Sequence, residues 1–363
     1  MIQPGQIWND TSGKPIQSHS GGVFFDQGIY YWYGYNWDGP TIPPNTVPQQ
    51  AFTWFFNRGI TIYKSTDLIH WEYASTVLAD VSFDPGNLLQ PLNGLVRPKI
   101  IKNDRTGQYV LMASLIAPDF NFFNDVVVAV SDSPTGPYRL LGKLGWHGKP
   151  NETGLWDQTW EAAKNDPPDR IRGFDMGLFK DDDGKAYLIV SRVDAYLYEL
   201  SDDYLSVIRV QRMEGVEGEA PAPFKAAGTY FIVTSRLTGW AHNRNTYCTA
   251  SSIRGPWTPR GPFAQGPREE TTFDSQVTFV LPVAGKTNAF IFMGDNFHNI
   301  SDWEIPDLRA ATHVWLPIDL DLKNKSMTVP WRERWDLSVF DRGLGPKLSP
   351  RQIEVGTKRR PKT

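Results

Sequence analysis

FDMGLFKDDDGKAYLIVS, residues 174–191, reads as two short strands joined by a tight turn. Apolar residues recur on either side of Asp181-Asp182-Asp183-Gly184, and Asp-Gly between two such runs is the usual signature of a hairpin. The same plan recurs along the chain. Residues 19–80 hold GGVFFDQGIYYWYGYN and ITIYKSTDLIHWEYAS, and residues 94–145 hold VRPKIIKNDRTGQYVLMAS and VVVAVSDSPTGPYRLLG. Residues 172–213, 218–264 and 272–330 repeat it again. STDLIHW (65–71), SPTGPY (133–138) and SIRGPW (252–257) punctuate the blocks alike. Five four-stranded units at this spacing predict an all-β chain folded as a five-bladed β-propeller, in preference to a two-sheet sandwich, because the repeat spacing rather than the strand count carries the choice. The opening around Ile7-Trp8 and a last strand around residues 331–339 are expected to pair and close the ring, removing a free edge.

Composition agrees. With 31 glycines, 28 prolines and 13% aromatic residues in 363, no long 3.6-residue pattern survives. A single domain over residues 1–340 is expected, with 341–363 as an extended or disordered basic tail carrying Arg351, Lys358, Arg359, Arg360 and Lys362 against Glu354. A net charge of −3 with no basic face excludes a nucleic-acid or membrane-surface protein. Cys248 alone rules out an internal disulfide and reads as packing. The N-terminus lacks the features of a signal peptide, so the chain is cytoplasmic or has lost a leader. The sites Asn9, Asn151, Asn299 and Asn324 tilt slightly toward the exterior.

Two acidic residues stand at strand starts, Asp175 and Glu219, the latter in GEAPAPFK (218–225). A carboxylate at the first strand position can face a cleft while the residues behind it build the core. Two converging carboxyl groups are what sugar-bond hydrolysis requires. Apolar surroundings, and Glu217 two residues before, are expected to keep Glu219 protonated.

IQSHSGGVFF (16–25), RPKII (97–101), FDMGLFKDDDGKAYL (174–188), EAPAPFK (219–225), TGW (238–240), FDSQVTFVL (273–281) and THVWLPI (312–318), one or more per block, resemble glycoside hydrolase family 43 across nearly the whole chain. The nearest likeness is to its exo-β-1,3-galactanase branch. That resemblance implies an inverting hydrolase releasing galactose from the non-reducing end of β-1,3-galactan, with a polysaccharide or oligosaccharide as partner, a monomeric state and an extracellular setting. It implies Glu219 as general acid and Asp175 as the residue that orients it and tunes its pKa. Ser18-His19-Ser20-Gly21-Gly22 lacks the Asp that many members use as base. The resemblance puts Gln276 in its place, holding water or acting as an imidic tautomer, with Asp274 as a competitor two residues earlier. Thr238, Trp240, His19, Gly21, Gly22 and Arg97 are expected to contact the sugar. Trp32, Trp37, Trp54, Trp160 and Trp303 are further aromatic residues near predicted loops or strand ends.

No required cofactor is implied and no metal ligand is assigned, although the resemblance leaves room for a structural metal ion on the propeller axis, near His19 and His313. Val96 replaces the Glu that the branch usually carries before Arg-Pro-Lys, and a valine cannot accept a hydrogen bond from a sugar hydroxyl. Two alternatives therefore stand beside the main reading: an α-L-arabinofuranosidase or β-xylosidase of the same family, and a propeller with weak or no catalysis that binds carbohydrate.

Overall fold

A computed structural model of the chain describes residues 1–38, 57–80, 84, 86–116, 124–146, 171–298 and 308–341. Trp54, Trp160, Trp303, Asn151, Asn299 and the basic tail beyond residue 341 lie outside them. Among the described residues no helix is long and apolar enough to cross a membrane.

The chain is an all-β propeller. Its first four sheets each begin with an inner strand and step outward by antiparallel pairing, as the hairpin pattern predicts, with one parallel addition, Gly145–Trp146, at the outer edge of the third. Those inner strands are His19–Asp26, Gly94–Lys102, Asp175–Lys180 and Glu219–Ala226, and a fifth sheet begins at Gln276–Pro282. Each inner strand packs against the next, and the fifth returns to the first, so the five enclose a common axis. That closure excludes a two-sheet sandwich. Apolar clusters fill the wedges between neighbouring sheets, with Ile60, Ile62, Leu111 and Val127 between the first and second, and Ile189, Ile232 and Trp257 between the third and fourth. The core is therefore distributed around the axis.

The number of sheets corrects the expectation of five: among the described residues there are six. Residues 272–330 were expected to form one four-stranded unit, but the chain divides after Pro317. Strands Gln276–Pro282, Phe290–Asn296 and Thr312–Pro317 make one three-stranded sheet, and Ala264–Gln265, Ser326–Pro330 and Asp319–Asp321 make another. The physical cause is a parallel pairing of Ala264 with Val329 and Gln265 with Pro330, a long-range partnership that draws the last hairpin outward. The sixth sheet contributes no strand to the inner ring.

Closure of the termini also differs from expectation. Ile2, rather than Ile7-Trp8, meets Trp335 in a single antiparallel bridge, with N–H···O distances of 2.7 and 3.0 Å. Residues around 337 form a short 3-10 helix, Leu337–Phe340, instead of a strand. The Trp335 indole donates to Trp315 O at 2.8 Å and fastens this end to the fifth sheet.

Elsewhere local readings hold. Asp181 closes the expected hairpin turn and also accepts from Lys225 Nζ and the Tyr230 hydroxyl, both at 2.6 Å, tying the third sheet to the fourth. Cys248 is buried in strand Thr246–Ala250, where burial first and Glu217 second push its thiol up to about 11, as suits a packing residue.

Candidate active site

The five inner strands bring their first residues to one end of the axis. Cross-strand pairs mark the common level: His19 with Tyr35, Val96 with Ser114, Asp175 with Ser191, Glu219 with Ser235 and Gln276 with Asp295. Four of these strands are bulged just beyond that level, with register shifts between His19 and Gly22, Val96 and Lys99, Glu219 and Ala222, and Val277 and Phe279. Ser20, Arg97 and Ala220 adopt left-handed backbone at φ of 56°, 52° and 55°. Non-glycine residues do so at a cost, and bulges of this kind re-aim side chains next to functional sites.

Glu219 and Asp175 are close enough for their charges to interact, and Arg97, 7% exposed, bridges Asp175 to Gln276. The guanidinium Nη2 donates to Asp175 Oδ2 at 2.9 Å and to Gln276 Oε1. Gln276 in turn donates from Nε2 to Glu219 Oε1 and to Ser235 Oγ, both at 2.9 Å. Burial, and then the Asp175 charge, lift the Glu219 carboxyl to about 8 against the opposing pull of Arg97 and the Gln276 hydrogen bond. A carboxylic acid that stays protonated at neutral pH can act as a general acid.

The structure brings Glu219, Asp175, Gln276 and Arg97 together and places the other sequence-derived residues differently. Arg97 donates from Nη2 to this cluster, and its Nη1 lies 3.4 Å from Val277 O, so it braces the site. Gly21 and Gly22 are both buried in positions too close for a side chain: a Cβ on Gly21 would lie 1.8 Å from Tyr33 O of the next strand, and one on Gly22 would lie 2.7 Å from the Tyr33 hydroxyl and 2.9 Å from the Phe279 ring of the fifth sheet. His19 is fully buried. Thr238 is occupied within its own loop, donating to Ala241 O and accepting from Asn243 Nδ2, each at 2.7 Å. Trp240 is half-buried and meets Trp37 edge-on at 6.3 Å, and Trp37 stacks on His19 at 4.3 Å. Trp32 is core. Asp274 is held by Arg268 Nη1 at 2.5 Å and the Thr271 hydroxyl at 2.6 Å, away from Gln276.

Sequence reasoning missed Ser235, Arg192 and Asp295. Arg192 pulls the Glu219 pKa down and lies over the Phe174 ring at 5.5 Å. Asp295 is buried in the strand FIFMGDN, and an acidic residue in so apolar a run was the available signal. Its Oδ2 accepts from Ser20 N at 2.6 Å, while Oδ1 lies 3.1 Å from His313 Nδ1 and 3.5 Å from His19 Nδ1.

His19, Asp295 and His313 are thus the ligand types expected near an axial metal ion, and their donor atoms lie within 4.8 Å of one another. Their geometry does not fit one. The imidazoles are stacked 4.6 Å apart at 21°, and a ring nitrogen directs its lone pair within its own plane, so two nearly parallel rings cannot both aim at one ion. Burial first, and His313 second, push His19 down to about 4, which leaves it neutral. Burial alone would raise Asp295, but its close contacts with His19 and His313 hold it well below the usual carboxylate range.

A family model described as glycosyl hydrolases family 43 matches residues 47–292. No curated protein matches the chain. Among solved structures, a GH43 β-1,3-galactosidase with galactodeoxynojirimycin is 33% identical at a TM-score of 0.77, covering 92% of this chain and 100% of that one. Another GH43 β-1,3-galactosidase is 30% identical at a TM-score of 0.74 over 94% of this chain, which spans only 64% of its length. A putative exo-β-1,3-galactanase from Bifidobacterium bifidum is 27% identical at a TM-score of 0.71, covering 92% of this chain and 97% of the other.

Proposed function

The chain belongs to glycosyl hydrolase family 43, and from that premise we propose that it is an inverting glycoside hydrolase releasing galactose from the non-reducing end of β-1,3-galactan. The observation that carries the reading is Glu219, a buried carboxyl lifted to about 8 beside Asp175 at the mouth of the ring. A protonated Glu219 would deliver its proton to the leaving sugar oxygen, and Asp175 would favour that protonated state by like-charge repulsion. The names of the solved relatives, two β-1,3-galactosidases and an exo-β-1,3-galactanase, support the sugar and linkage.

Gln276 is assigned to the water. Its Oε1 accepts from Arg97, so an imidic O–H there would face another donor, and the amide form is favoured. Inversion needs about 6.5–9.5 Å between the acid and the group opposite it, whereas Gln276 Nε2 is 2.9 Å from Glu219 Oε1. An incoming galactosyl unit therefore has to break that hydrogen bond; the second lone pair of Gln276 Oε1, whose other is taken by Arg97, would then accept an O–H of the attacking water and let its proton pass on to solvent as Glu219 protonates the departing sugar oxygen. A polymeric substrate of this kind carries with it an extracellular setting and a monomeric chain as expectations.

Val96 favours a second reading, a pentose substrate, because an apolar side chain stands at the level of the acids where the galactanase branch usually has a carboxylate. An NMR time course with a β-1,3-galactooligosaccharide, run beside Glu219→Gln, separates the two. α-Galactose appearing first, and absent with the variant, supports the galactanase. Release only from arabinofuranosides or xylosides sinks it.

A further inference from the structure

Three backbone carbonyls at the bulges of the inner ring converge on one side chain that the mechanism does not use. Lys99 is 1% exposed, and its Nζ lies 2.8 Å from Ser20 O, 3.1 Å from Gly21 O and 3.2 Å from Pro98 O. Ser20 and Gly21 belong to the bulge of the first inner strand and Pro98 to that of the second. An ammonium has three N–H donors and a neutral amine two, so three acceptors select the charged form. Burial and the neighbouring Arg97 push Lys99 well below its ordinary value, while the Asp175 and Asp295 carboxylates oppose them.

We propose that Lys99 is the built-in cation of this propeller axis, occupying a carbonyl-lined position that would otherwise suit a metal ion and fixing the Ser20–Gly21 bulge. Calcium takes six to eight oxygen ligands, whereas three carbonyls meet the Lys99 nitrogen, one for each N–H of an ammonium, at 2.8–3.2 Å, the range of N–H···O bonds. The anchored bulge leads directly to the site. Ser20 N–H donates to Asp295 Oδ2 at 2.6 Å, and Asp295 stands opposite Gln276 in the fifth sheet. Lys99 is accordingly a positioning residue, acting on Gln276 through Ser20 and Asp295.

Its activity readout rests on the proposed hydrolase, but the metal and stability readouts do not. Full-length protein is assayed for bound metal and for turnover with and without EDTA. Lys99→Ala is assayed for turnover and for thermal midpoint with added methylammonium. The expected results are chelator-insensitive wild-type turnover and a variant that loses about 100-fold in kcat, with methylammonium, but not the bulkier tetramethylammonium, restoring turnover and raising the midpoint. A stoichiometric metal whose removal costs wild-type turnover overturns the proposal, and so does a folded Lys99→Ala chain with unchanged kcat. If that variant does not fold, the wild-type metal assay still decides. If the wild type releases no sugar at all, the hydrolase reading fails, while the metal content and the methylammonium-dependent midpoint still judge Lys99.

Discussion

Glu219 and Asp295 flank the same residue. Gln276 donates to Glu219 on the fourth sheet and pairs across strands with Asp295 on its own. Burial pushes both carboxyls toward the neutral form, yet Glu219 is lifted to about 8 while Asp295 is held well below the usual range. Their neighbours account for the opposite outcomes. Asp175 adds like charge beside Glu219, which accepts one hydrogen bond from an uncharged amide. Asp295 instead receives a backbone N–H from Ser20 and faces two imidazoles. Desolvation sets the cost of a buried charge, and the donors around it decide whether the group stays ionised. At one end of the axis the fold therefore holds a proton at one carboxyl and a fixed negative charge at another.

The largest expected effect tests the proton-holding half. Glu219→Gln keeps the shape but has no transferable proton, so kcat should fall by about 10²- to 10⁴-fold with KM little changed. Steady-state release of galactose measures it, and retention of wild-type kcat would remove Glu219 from the mechanism. The fixed-charge half is tested by Asp295→Leu, which leaves Ser20 N–H and two buried imidazoles without their acceptor. Breaking a buried charged cluster typically costs about 3–5 kcal/mol, and urea unfolding should show a loss of that order. Acid should act on the same cluster. His19 has a folded pKa near 4 against an ordinary 6.5, so below pH 6.5 the unfolded chain binds a proton that the folded chain refuses. Stability should be full above pH 6.5 and decline toward pH 4 by on the order of 3 kcal/mol. A flat denaturation midpoint across that window would mean that His19 is not buried as described.

How much of this contrast was legible in the sequence follows the range of the forces involved. Strand alternation and turn chemistry are local, so the first four blocks, from Gly21-Gly22 in the first to Trp257 in the fourth, could be read directly. The sixth sheet could not, because it depends on Ala264–Gln265 pairing with residues more than sixty positions away. Asp175 and Glu219 stood out as strand-start carboxylates, but their roles and Gln276 came from resemblance, since no spacing along the chain shows that three separate strand starts meet. Left-handed backbone at Ser20, Arg97 and Ala220 gave no warning, as these residue types seldom adopt it. Those bulges set Arg97 as a clamp between Asp175 and Gln276 and gather carbonyls around Lys99, which sequence reading treated only as part of a motif.

The smallest expected effect discriminates most finely between burial and neighbouring charge. The alkaline limb of kcat/KM reports the general acid of the free enzyme, so in the wild type it should lie near pH 8, where Glu219 loses its proton. Asp175→Asn removes the like charge that ranks second among the causes of that shift. It also weakens the hold on Arg97 Nη2, now bonded to Asp175 at 2.9 Å, leaving a less compensated positive charge beside Glu219. Both changes favour the ionised acid, so the limb should move to lower pH by on the order of one unit. Burial is the larger cause and survives the substitution, so the limb should still lie above the ordinary carboxyl value of 4.5. Profiles of the two proteins on one oligosaccharide decide the matter. An unmoved limb would assign the proton-holding of Glu219 to burial alone and reduce the contrast with Asp295 to the donors on Asp295, whereas a collapse to the ordinary value would make Asp175 the whole of the cause.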